Sequence, residues 1–246
     1  MPPTPDHELS AERSWVFLSV LPATLLTFLF GPILHLLAYE WVDLVLRMVF
    51  DGSVFLAMWA YSPSRTVTRV GFALLLGALL GSLAVPLGIL EPASAIVFGA
   101  SCEGLLASAS LLIQLRYLVR ARRVTAAHLS SAVFAYLLIG VVWTFLYLLV
   151  WIGADDSFDG IPARAEFLVG DGSVGVGRLE LRGQVTEQLS YFSFVTLTTL
   201  GYGDVSPVGH VARSLATLEA LIGQVYLTVL VAHLVSLNIA RRTTEA

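Results

Sequence analysis

Thr199-Leu200-Gly201-Tyr202-Gly203-Asp204 stands between a turn-rich segment and a long apolar run, and its reading decides how the rest of the chain is arranged. Gly201 and Gly203 flank Tyr202. Glycine reaches backbone angles that other residues reach only at a cost, so consecutive peptide carbonyls can point the same way here. Four copies of such a segment around one axis would stack rings of oxygen.

The surroundings of the hexapeptide are those of a membrane protein. A chain of 246 residues that is 57% hydrophobic and 13% charged, with mean hydropathy +0.80, has too little polar surface to enclose a soluble core of its size. A spanning helix needs about 20 mostly apolar residues. Six runs qualify, 14–39, 41–60, 69–90, 93–118, 126–152 and 209–240, with the hexapeptide between the fifth and the sixth. Pro2, Pro3, Pro5, Asp6, Glu8 and Glu12 replace the positive leader of a cleavable signal, so the first run is expected to be retained. Cys102 is the single cysteine, which excludes a disulfide within the chain and a thiolate metal cluster. All 14 basic residues are arginine, a usage that fits a GC-rich bacterial genome.

Arginine placement sets the expected orientation. With a cytoplasmic N-terminus, the inner side carries Arg13, Arg65, Arg69, Arg116, Arg120, Arg122, Arg123, Arg241 and Arg242, against Arg164, Arg178, Arg182 and Arg213 outside. Both termini are then cytoplasmic, and Asp155, Asp156, Asp159, Glu166, Asp171, Glu180 and Glu187 surround the outer mouth of the segment. These acids either concentrate cations there or are ordinary solvated loop charges.

Thr196-Leu197-Thr198-Thr199-Leu200-Gly201-Tyr202-Gly203-Asp204 closely resembles the pore signature of potassium channels. The resemblance implies that the main-chain carbonyls of Thr199, Leu200, Gly201 and Tyr202, with the Thr199 hydroxyl, replace the hydration shell of a permeant potassium ion. Gly203 and Asp204 complete the filter, and Leu200 replaces the commoner valine. One filter segment per chain implies a homotetramer of identical subunits. The implied fold is an all-α membrane protein of six transmembrane helices, with a re-entrant pore helix and filter between helices five and six and a small extracellular β-hairpin turret. Potassium transporter subunits, which usually carry four degenerate filter repeats in one chain, and a non-conducting membrane scaffold with a pore-like fold are the alternatives. No nucleic acid, soluble substrate or enzymatic reaction is implied.

The expected organisation is a cytoplasmic segment 1–13, a four-helix peripheral membrane domain 14–118, a basic linker 119–125, a pore domain 126–240 and a tail 241–246. Within the pore domain the outer helix is 126–152, the turret 153–183, the pore helix and filter 184–204 and the inner helix 209–240. The pore helix, Gln184–Thr198, aims the negative end of its dipole at a cation. By resemblance, Tyr191 takes the place of the tryptophan that often braces the filter aspartate, here Asp204, and Thr198 also supports the filter. Glu219 lies in the apolar body of the sixth run, where an ionisable residue is expensive. It is expected to be a protonated acid bonded to a pore-helix hydroxyl such as that of Thr198.

Gly223 lies at the family's hinge position, although a lone glycine in a membrane helix is as often a close-packing site. Gln224 is the expected polar group of the cavity. Leu227, Val231, Val235 and Ile239 recur every four residues, as a hydrophobic gate stripe or as a face toward lipid or another helix. Four helices ahead of a pore module is the architecture of voltage-gated relatives, but residues 93–115 contain Glu103 and no arginine. Weak voltage dependence at most is expected. Arg47 and Asp51, four apart, share a face and are expected to form a buried cluster with Glu103. Four residues follow Arg242, so gating is expected to act without an appended sensor domain.

Two further patterns imitate known sites. Gly170-Asp171-Gly172-Ser173-Val174-Gly175 fits the glycine pattern of a dinucleotide fingerprint, but no helix is expected after it. The alternation of Arg178-Leu179-Glu180-Leu181-Arg182 instead predicts an extracellular hairpin over 164–182 that turns at Gly170 to Ser173. Asp155, Ser157, Asp159 and Glu166 fall at ligand positions of a calcium loop and Gly160 at its turn position, with Pro162 against that reading. His35 and His233 read as core residues, and His128 and His210 lie near opposite interfaces.

Overall fold

The computed structural model describes residues 40–62, 64–84, 89, 92–120, 126–154, 157–162 and 176–245. Six helices and one pair of two-residue strands are found there: α1 (Glu40–Tyr61), α2 (Arg65–Ala84), α3 (Pro92–Arg120), α4 (Ala126–Gly153), β1 (Phe158–Asp159), α5 (Val176–Leu197), β2 (Ser206–Pro207) and α6 (His210–Glu245). The first run, 14–39, lies outside the described residues, as do the segment 1–13 and the linker residues 121–125. Arg65–Ala84, Ser94–Val119 and His128–Gly153 are long and apolar enough to cross a membrane. The chain is thus a mostly helical membrane protein.

Small residues set the packing of the peripheral helices. A Cβ built on Gly81 of α2 would come within 2.5 Å of the Gly99 Cα on α3, and one on Gly77 within 2.7 Å of the Cys102 sulfur. In lipid, where apolar surface gains little by leaving the solvent, such close backbone approach is what holds helices together. α3 packs against α1, α2 and α4, and α4 in turn carries α5 and α6. A single apolar cluster runs from Val54 and Met58 through Ile96 and Leu106 to Phe134, Leu138, Tyr147, Leu189 and Ala212.

The segment between α4 and α6 departs from expectation. Val176 to Arg182 are the first turns of α5, so the strand predicted over 178–182 is a helix, and a helix does follow Gly175. Arg, Leu and Glu are strong helix formers, and five alternating residues are too few to outweigh that preference. The pore-helix element therefore begins eight residues before Gln184 and ends at Leu197. The predicted turn at Gly170 to Ser173 lies outside the described residues.

The sheet among the described residues joins different segments. β1, just after α4, pairs antiparallel with β2, just after the Thr199–Asp204 stretch, with Phe158 opposite Pro207 and Asp159 opposite Ser206. The Ser157 carbonyl accepts the N–H groups of Val208, at 2.9 Å, and Gly209, at 3.1 Å.

Candidate functional site

The site begins where α5 stops. The Leu200 N–H donates to the Val195 carbonyl at 2.9 Å and the Thr199 N–H to the Thr196 carbonyl at 3.0 Å. This pair of bonds is the Schellman cap, whose first residue beyond the helix is left-handed and usually glycine. Here it is Thr199, with φ +61°. A β-branched residue in that region is strained, by about 1–2 kcal/mol, and such strain collects where a site requires it.

Beyond Thr199 the backbone alternates. Gly201 has φ +62° and Gly203 +80°, whereas Leu200 and Tyr202 between them keep negative φ. Alternation of positive and negative φ lets successive peptide groups turn the same way, and glycine permits it at Gly201 and Gly203. No Cβ contact within 4 Å restricts Gly201 or Gly203, so backbone angle rather than space requires glycine at both. The side chains of Leu200 and Tyr202 are exposed.

Four contacts hold the two ends of this stretch. Above it, the interaction of Tyr191 with Asp204 raises the phenol above its ordinary pKa, since ionisation would set a second negative charge beside the carboxylate. Gly160, left-handed at φ +82°, passes so close to the Asp204 carbonyl that no Cβ would fit. Below it, the Leu197 carbonyl accepts the Tyr136 hydroxyl at 3.1 Å. The same carbonyl lies 2.7 Å from where a Cβ on Gly223 would be, so Gly223 is a close-packing site between α6 and the end of α5.

Glu219 is fully buried where α4, α5 and α6 meet. One carboxyl oxygen lies 2.6 Å from the Tyr147 hydroxyl and the other 2.5 Å from Ser193 Oγ. Ser193 Oγ is also 2.8 Å from the Gly140 carbonyl. The partner expected for Glu219 was Thr198, and this is corrected: Thr198 donates its hydroxyl to the Phe194 carbonyl at 2.5 Å, back along its own helix. Thr198 lies at the helix terminus, five residues past Ser193, where its side chain reaches a helical carbonyl first. Tyr147 is further fixed by edge contacts to Phe158 and Phe192, with ring centroids 5.5 and 5.1 Å apart.

The remaining expected residues are dispersed. Gln224 and Leu227 are exposed on α6, and the side chains of Val231, Val235 and Ile239 lie outside the described residues. Arg47 Nη1 approaches Glu103 Oε2 to 3.9 Å, and Asp51 is buried one turn beyond Arg47. Of the calcium-loop residues, Asp155 and Glu166 lie outside the described residues, Ser157 donates to the Ala154 carbonyl at 3.0 Å, and Asp159 accepts the Gly160 N–H at 3.0 Å. Among the described residues no three His, Cys, Asp or Glu side chains gather as metal ligands. Ser193, Tyr147 and Tyr136 escaped the sequence reading, and Gly160 was read only as part of a calcium loop; a serine inside Tyr191-Phe192-Ser193-Phe194-Val195 was the one available signal.

Residues 184–239 match the family described as Ion channel. The matched segment starts within α5, contains the capped terminus, the alternating backbone and β2, and ends within α6. No curated protein and no solved structure matches the chain.

Proposed function

We propose that the chain is one subunit of a potassium-selective channel, a homotetramer whose filter is built from the main-chain oxygens of Thr199, Leu200, Gly201 and Tyr202 with the Thr199 hydroxyl. The observation that carries this reading is the alternation of φ sign from Thr199 to Gly203 at the capped end of a helix, within the segment that matches an ion-channel family. In this reading the carbonyls of that stretch point one way, an arrangement of no use to an isolated chain. Several such rows around an axis supply the oxygen ligands of a dehydrated alkali cation.

In this reading Tyr191, Thr198 and Glu219 support the filter. Gly223 seats α6 against it, and Gln224 with Leu227, Val231, Val235 and Ile239 lines the cavity and gate. Voltage dependence is weak, because moving one charge across the membrane is worth about 2.3 kcal/mol per 100 mV and α3 carries its arginines at Arg116 and Arg120, near its end. The protein resides in a bacterial plasma membrane with both termini cytoplasmic. Purified protein in liposomes should pass rubidium far faster than sodium, barium should block that flux, and cross-linking should stop at four chains. Equal sodium and rubidium rates, or a monomer, would overturn the proposal.

A further inference from the structure

An apolar groove of about 840 Å³ lies between α3, α4 and α6. Its walls include Leu118 and Val119 of α3, Trp143 of α4 and Val225 and Val229 of α6, and His128 is the one basic side chain in its lining. Tyr226 also faces it, with its hydroxyl donated to the Ala132 carbonyl at 2.7 Å. The α6 wall runs from Leu221 to Leu230. At 1.5 Å per residue that is roughly 14 Å, close to half of a hydrocarbon core of about 30 Å. The groove is therefore one leaflet deep.

Its mouth is basic. His128, near the start of α4, stacks on Tyr117, near the end of α3, with ring centroids 4.8 Å apart and planes 6° from parallel. Arg116 is exposed beside the groove residues Leu115 and Val119, and Arg120, Arg122 and Arg123 follow in sequence. A cleft of acyl-chain depth with His128 in its lining and Arg116 beside it on α3 is complementary to a lipid with a negative headgroup.

We propose that this groove binds an anionic phospholipid, its acyl chain along Val225 and Val229 and its phosphate at Arg116 and His128. An anionic headgroup with its acyl chain is the occupant that satisfies the apolar wall and the basic residues together. The test is native mass spectrometry of the purified full chain titrated with palmitoyl-oleoyl phosphatidylglycerol or the phosphatidylcholine of identical chains, so that only the headgroup differs. Phosphatidylglycerol should be retained preferentially, and Arg116→Gln, an exposed and structurally mild change, should weaken its retention about fivefold. Val225→Trp, which fills the groove, should lower retention of both lipids. Equal retention of the two lipids by the unaltered chain, or unchanged retention in Arg116→Gln, overturns the proposal. So does a Val225→Trp chain that keeps its lipid and changes its oligomeric state, since the groove then seats a second copy.

Discussion

Ser193 Oγ sits 2.5 Å from the Glu219 carboxyl while also within 2.8 Å of the Gly140 carbonyl. One hydroxyl hydrogen cannot serve both. Tyr147 brings a second hydrogen to the other carboxyl oxygen, at 2.6 Å, so three contacts share two hydroxyl hydrogens unless the carboxyl carries the third. A neutral acid that donates to Ser193 satisfies every group and ties α4, α5 and α6 at one point.

That count separates two substitutions. Glu219→Gln keeps the shape and replaces the acid O–H by an N–H donor, so thermal unfolding of the purified protein should stay close to that of the unaltered chain. Glu219→Leu orphans the Tyr147 hydroxyl and should cost about 1–3 kcal/mol. A Gln variant as damaged as the Leu variant would show that the junction holds a carboxylate.

Gly223→Ala places a methyl 2.7 Å from the Leu197 carbonyl, a main-chain atom that cannot rotate away. α6 must then shift from the end of α5, at about 1–3 kcal/mol for overpacking. The expected outcome is a lower unfolding temperature together with altered ion selectivity in liposome flux. A hinge role without packing would leave the unfolding temperature unchanged.

At position 199 the usual order of glycine and alanine should invert. Both Thr199→Gly and Thr199→Ala lose the hydroxyl, but the left-handed backbone, φ +61°, penalises the alanine. The glycine variant should be the more stable of the two by about 1 kcal/mol in thermal unfolding, whereas inside a helix alanine would win. Both should lose discrimination between potassium and sodium.

Tyr191→Phe removes the phenol that interacts with Asp204, and faster loss of conductance under sustained recording is expected. The interaction raises the phenol above its ordinary value of 10.0, so neutral Tyr191 is favoured in the folded state. Its contribution should be fully present below about pH 10 and lost as pH rises through the higher folded value. Conduction that decays identically in both chains would remove Tyr191 from the filter's support.

Composition alone made this chain a membrane protein, since 57% hydrophobic and 13% charged residues leave no polar shell for a soluble fold. The glycine spacing at Gly201 and Gly203 was equally legible, because backbone angle is a property of the residue itself. The boundaries of α1, α3 and α4 followed from the apolar runs to within two residues, whereas α2 spans Arg65–Ala84 against an expected 69–90. The start of α5 did not, because alternation over five residues fits a strand or a helix and local propensity decided it. Glu219 could be read as a buried acid, but not its partners. Ser193 and Tyr147 lie 26 and 72 residues away in the chain, and the packing of α4, α5 and α6 selects which hydroxyl comes within reach. The approaches of Gly160 to Asp204 and of Gly223 to Leu197 belong to the tertiary structure for the same reason: they are distances between segments, and sequence spacing carries no information about them.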